Sequence, residues 1–211
     1  MHTSIQFLKR IIPVLLIVFI SFFAAKAQTQ KELQDAFSRS YTQESNKNYE
    51  DAVKTLTEVY SDNNYEVNLR LGWLNYLAGK NDKSIANYKN CIKLMPSSTE
   101  ALWGIVNPYS LKEDWVSVEK TYFSILKLDP KNSKANYSLG LIYYYRKNYT
   151  TAKKYLDVAL NLYPFDYDTL LMSAWTSYFL GRMQEAKVLF NKVLLNQPND
   201  TSALEGLSLI K

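Results

Sequence analysis

The sequence predicts an all-α protein, an α-solenoid of antiparallel helix pairs, and three observations carry that prediction. Prolines stand at positions 96, 130, 164 and 198, a step of 34 residues each time. Three of them close related phrases, "CIKLMP", "ILKLDP" and "ALNLYP", with "LLNQP" as a weaker fourth. Within a unit the apolar residues recur at helical rather than alternating spacing, as Leu156, Ala159 and Leu162 do. A period of this length marks a stacked repeat. One helical hairpin cannot bury its apolar side alone, so its neighbours must cover it.

Each element follows from the same register. Gly72, Val106, Gly140 and Ala174 form one column at the 34-residue step, and Ser84, Val118, Ala152 and Ala186 form another. Small residues midway along the first helix and near the start of the second let the two backbones approach closely. Tyr88, Tyr122, Leu156 and Phe190 fill the space beside them, and Cys91, Ile125, Ala159 and Val193 make a fourth column. Every unit breaks at a polar turn ("AGKNDK", "KED", "RKN", "LGRMQ") and again at its proline, which cannot continue a helix. Restarts are marked by Ser97 with Glu100 at capping-box spacing, and by Asn132, Asp166 and Asp200 as N-caps.

The expected units run over about 33–64, 65–98, 99–132, 133–166 and 167–200, with a single capping helix at 201–211. The first is degenerate, with Ser40 and Ala52 in its small columns and a connection two residues shorter. The third departs most. Val106 and Val118 replace small residues, and Pro108 falls inside the first helix, where it removes a hydrogen bond and crowds the carbonyl of Gly104. A kink or an early end near Asn107 is expected there.

The 34-residue step, the "LG" pairs at Leu71-Gly72 and Leu139-Gly140, the alanines Ala152 and Ala186, and the closing prolines resemble the tetratricopeptide repeat. The resemblance covers nearly all of the chain after residue 27 and implies binding of a protein or peptide partner without saying which.

The first 27 residues read as an export signal: Lys9 and Arg10, an apolar run from Ile11 to Phe23, then Ala25-Lys26-Ala27 with small-x-small spacing. Cleavage is expected between Ala27 and Gln28, leaving residues 28–211 in the periplasm or cell envelope. The alternative is an uncleaved anchor, the chain's one route to the membrane, although its apolar run is short of the ~20 residues a spanning helix needs. The net charge of +5 loses its force once this segment is set aside. Lys9, Arg10 and Lys26 lie in the leader, which has no acid, so 22 basic face 20 acidic side chains in the remainder. That is too dispersed for nucleic acid, which needs a clustered basic face.

Chemistry is sparse. His2, the only histidine, lies in the leader, so the remaining chain has no imidazole for base catalysis or metal ligation. Cys91 is the only cysteine; it cannot form an internal disulfide, and its column marks it as a buried packing residue. Glu113, Asp114 and Asp51 sit in turn or exposed helical contexts, and no glycine-rich loop follows a strand. No enzyme activity, cofactor or metal is expected.

A second set of residues lies off the packing columns. Leu69, Trp73 and Tyr76 share one face of the first helix of the second unit, away from Leu71, Gly72 and Asn75. The 34-residue step carries this face to Trp103, Asn107 and Ser110, to Tyr137, Leu141 and Tyr144, and to Leu171, Trp175 and Tyr178, while the first unit adds Phe37 and Tyr41. Among proteins resembling this family, first helices line the concave side, which implies one aromatic groove holding three of the four tryptophans. The family's basic clamp for a carboxylate is not matched, since only Lys134 near the edge is cationic. In the phrase "GLIYYYRKNYTTA", Tyr143 is expected to turn toward the core of its pair and Tyr149, in the column of Trp115 and Met183, to pack. Tyr144 is expected to face the groove with Tyr145 at its edge.

Such a groove suits a peptide or partner protein of the cell envelope, because tyrosine and tryptophan give large contact area at little rotamer cost. Simple coverage of the groove by neighbouring helices is the bland alternative. Two other readings stay open. One is carbohydrate binding, with Trp73, Trp103 and Trp175 stacking on sugar rings beside Asn107, Ser110 and Glu100. The other is a structural scaffold that self-associates. The oligomeric state is not legible.

Overall fold

The computed structural model describes residues 29–210; the leader and its cleavage point lie outside the described residues. Within them every regular element is a helix. The helices fall into two compact units, one ending at Met95 and the other beginning at Pro96. The first holds α1 (29–45), α2 (Tyr49–Thr57), α3 (Tyr65–Leu77) and α4 (Asn81–Leu94). The second holds α5 (Thr99–Leu111), α6 (Trp115–Leu128), α7 (Ser133–Tyr145), α8 (Tyr149–Leu162), α9 (Tyr167–Phe179), α10 (Met183–Asn196) and α11 (Thr201–Leu209). No helix among the described residues is long and apolar enough to cross a membrane.

Local chemistry sets where each helix starts and stops. The side chains of Asn132, Asp166 and Asp200 accept the backbone N–H three residues on, and Asn64 does the same for α3. The Ser97 capping box does not form. α5 begins one residue later, with Ser98 at the N-cap and no side-chain cap bond. Turns inside the pairs share one device, a left-handed residue: Lys47, Gly79, Glu113, Lys147 and Gly181, with φ from 56° to 73°. The two residues that follow the helix close on it, as when Lys147 N–H reaches Tyr144 O and Asn148 N–H reaches Tyr143 O at 2.8 and 2.9 Å. Each repeat proline directly follows the residue capping a second helix.

Packing follows the small columns. Gly72 lies so close to Tyr88 that a Cβ there would come within 2.9 Å of the ring, and Ser84 Oγ donates to Gly72 O at 2.7 Å. A Cβ on Gly140 would stand 2.6 Å from Leu156. Ala174, Ala186 and Phe190 are fully buried, and so is Cys91, whose thiol donates to Tyr65 O at 3.5 Å. The α11 helix covers this last pair through Ala203 and through Gly206, which rests on the Phe190 ring.

The third pair shows one correction. α5 does not end near Asn107 but runs through Pro108 to Leu111. Gly104, four residues back, presents no Cβ, and Ser110 Oγ donates to Val106 O at 2.8 Å across the following turn. The valines leave their mark, since α5 and α6 approach each other less intimately than α3 and α4, α7 and α8, or α9 and α10.

Candidate partner-binding faces

In the first unit the face builds up from α1 and α3. Tyr41 is 56% exposed, and the Arg70 guanidinium lies 3.8 Å from its ring centre. Arg70 is nearly buried; it pairs with Glu44, and its Nε donates to Ser40 Oγ at 3.3 Å. Glu44 also accepts from Trp73 Nε1 at 2.6 Å, and Trp73 meets Tyr76 with ring centres 5.6 Å apart. Phe37 and Leu69 are half-buried, Phe37 against the Ala36, Leu56 and Leu71 core. An aromatic edge is therefore held by a buried ion pair on rigid helices. Arg70 has no counterpart in the repeat pattern, whose column there reads Gly104, Ser138 and Met172. No periodic signal could have found it.

In the second unit the expected residues divide. Tyr144, Trp175 and Tyr178 come together in one continuous array of rings. Tyr144 meets Tyr149 edge-on at 5.6 Å, Tyr149 stacks on Phe179 at 4.7 Å, and Phe179 reaches Trp175 at 6.0 Å and Tyr178 at 5.4 Å. Phe179, outside the expected set, is the ring that joins them, and it is 46% exposed. Trp175 is anchored on both sides: its Nε1 donates to Ser202 Oγ at 2.8 Å and its ring meets Phe190 at 5.1 Å. Leu171 packs in part against the same core. Trp103 meets Tyr122 at 5.8 Å under the Lys134 ammonium, 4.4 Å from its ring centre, while Asn107 is exposed.

Tyr137 lines a smaller hollow of about 320 Å³ with Lys134, Tyr163, Asp166 and Asp168. Burial, helped by the Asp168 and Asp166 carboxylates, pushes its hydroxyl up to about 12. Burial does the same to Tyr144, again to about 12, with Tyr149 and Tyr145 adding to it. Both phenols are neutral hydrogen-bonding groups at any physiological pH.

The tyrosines of residues 140–152 have different surroundings: Tyr143, Tyr144 and Tyr149 are half-buried and Tyr145 is exposed. Tyr143 stacks on Tyr155 of its own pair at 5.7 Å and donates to Glu119 at 2.6 Å. Tyr149 packs, and Tyr145 is 74% exposed. Trp115, however, shares the Tyr149 column yet is 51% exposed. It lines a cleft of about 640 Å³ between α6 and α7 with Val118, Tyr122, Ser138, Leu141, Ile142, Tyr145 and Arg146. Leu141 thus belongs to this cleft. Its neighbouring valine column gives no warning of it, because apolar residues read alike whether they close a gap or line one.

Among the described residues no three metal-ligating side chains gather in one place. Residues 134–166 and 168–200 match the family described as tetratricopeptide repeat. These two stretches are similar to tetratricopeptide repeats. The likeness of fold extends across most of the chain. A tetratricopeptide repeat protein from Parabacteroides merdae is 19% identical with a TM-score of 0.72, over 85% of this chain and 72% of that one. MamA from Desulfovibrio magneticus is 17% identical with a TM-score of 0.66, over 81% of this chain and 98% of that one. A further MamA structure is 18% identical with a TM-score of 0.68, over 79% and 92% respectively. At such identities the likeness is one of fold. No curated protein matches the sequence. The expected α-solenoid of antiparallel helix pairs agrees with this likeness of fold.

Proposed function

We propose that the chain is an exported adaptor whose aromatic first-helix faces bind a peptide or partner protein of the cell envelope. The observation that carries this is the ring array on α7, α8 and α9. Its rings are locked to one another at 4.7 to 6.0 Å, yet Phe179 remains open to solvent. Rings held in this way lose little freedom on binding, which is what makes aromatic residues effective contact anchors. The Tyr41 and Trp73 edge in the first unit has the same character. Export and envelope location rest on the leader pattern of residues 1–27 alone.

Protein is favoured over sugar as the ligand at Trp103 and Trp175 because those two indole faces are already in use. Lys134 covers Trp103, and Trp175 is flanked by Phe179 and Phe190. Sugar stacking needs an open indole face with polar groups beside it.

The test is affinity capture from an envelope extract, using the chain without its leader and a Tyr41→Ala, Trp73→Ala, Phe179→Ala variant whose circular dichroism matches the parent. Loss of one dominant captured species from the variant is the expected outcome. Identical catches would refute the reading.

A further inference from the structure

We infer that the cleft between α6 and α7 is a site for a proline-rich partner segment in the polyproline II conformation. This rests on the reading of the chain as a peptide-binding scaffold and names the class of peptide that one part of it takes.

The cleft is of ligand size, about 640 Å³. Its two mouth rings come from helices running in opposite directions, Trp115 from the first residue of α6 and Tyr145 from the last of α7. They are 51% and 74% exposed. Unlike the rings of the α7–α9 array, Trp115 has no ring partner and no side-chain acceptor among the described residues. Its floor and walls are apolar, from Val118, Leu141 and Ile142.

Its polar groups are what select the occupant. Trp115 Nε1, Ser138 Oγ, the Tyr122 and Tyr145 hydroxyls and the Arg146 guanidinium all offer protons, only the three hydroxyls also accept, and the lining includes no carboxylate and no amide. The nearby Glu119 is already engaged, one oxygen accepting from the Tyr143 hydroxyl and the other from Arg146, each at 2.6 Å, and it is not part of the lining.

A lining whose donors outnumber its acceptors suits a ligand with free carbonyls and few N–H groups. An ordinary extended peptide brings one N–H per residue, and the three hydroxyls are the lining's only side-chain acceptors for them, already drawn on by the cleft's own donors. A partner helix has its carbonyls bonded internally and would leave Trp115 Nε1 unpaired. Polyproline II is the remaining backbone class: its carbonyls are unbonded, proline has no N–H, and its rings lie well against tryptophan and tyrosine. It is also stiff before binding, so little ordering is lost.

The experiment is calorimetric titration of the chain with an acetylated, amidated decaproline peptide. A glycine-serine peptide and an alanine-rich helical peptide of the same length serve as comparators. Saturable binding of decaproline alone is expected, with Trp115→Ala weakening it by about tenfold or more. Should Trp115→Ala lose its helical signal, Tyr145→Ala takes its place, since that side chain is mostly in solvent. The inference is overturned by equal binding of a comparator, by affinity unchanged in a folded variant, or by no decaproline binding. It is equally overturned if light scattering shows self-association that Trp115→Ala abolishes. Capture that still depends on Tyr41, Trp73 and Phe179 when decaproline fails would remove this inference and leave the adaptor reading standing.

Discussion

At residue scale the turn inside each pair demands a left-handed residue, and three of the five are not glycine: Lys47, Glu113 and Lys147. An L side chain in that region costs roughly 1–2 kcal/mol, partly offset by the entropy that glycine loses on folding. Lys147→Gly should therefore stabilise the chain by up to about 1 kcal/mol in urea unfolding. Gly140→Ala should do the opposite. The added methyl meets Leu156 at 2.6 Å in a fully buried site, and forcing that contact should cost about 1–3 kcal/mol. A Gly140→Ala chain melting at the parental temperature would show that the helices have room to part. The small columns were legible because every unit must solve the same packing problem and so repeats the answer. Arg70 and Trp115 were not. Arg70 belongs to one unit's private ion pair, and Trp115 sits in a column whose other ring, Tyr149, does pack.

At the scale of helices, Pro108 is the one residue that contradicts its element. Its missing N–H leaves Gly104 O without a helical donor, and α5 persists because its buried face holds it. Pro108→Ala should raise stability by about 1–3 kcal/mol in thermal unfolding. A loss instead would mean that the ring's packing outweighs the restored bond. The α6 to α7 junction carries a pH dependence. Burial works to raise Glu119, but the hydrogen bonds from Tyr143 and Arg146, together with the Arg146 charge, win and hold its carboxyl below its ordinary 4.5. A carboxylate depressed on folding stabilises the fold above the unfolded pKa, and that contribution is lost as pH falls through the folded value. Acid unfolding of Glu119→Gln should thus show a shallower loss of stability than the parent below about pH 4.5. The helix starts were legible at Asn132, Asp166 and Asp200, which cap them, were not read at the caps Asn64, Asp114 and Asn148, and slipped by one residue at Ser97, where Ser98 takes the N-cap without a side-chain bond.

At the scale of the molecule, nested pairs use up the small and apolar columns, and a remainder of rings is left on the first helices. α11 closes one end of that scheme. Truncation after Gln197 removes Ala203 and Gly206 from the Phe190 ring and Ser202 from Trp175. Uncovering Phe190 alone forfeits about 2–3 kcal/mol of burial, and the truncated chain should self-associate in light scattering. A monomer with an unchanged melting curve would deny α11 its capping role. The ring remainder was legible as a stripe, but its division was not. Phe179 as the joining ring and the separate α6–α7 cleft depend on how bulky side chains turn once the helices are in place. Site-specific photocrosslinking with benzoylphenylalanine in an envelope extract tests the central claim most directly, with the probe at Tyr41, at Phe179 and at Leu195 on the solvent side of α10. Covalent adducts from Tyr41 and Phe179 with none from Leu195 are the predicted result. Adducts from Leu195 alone would place the partner elsewhere and contradict it.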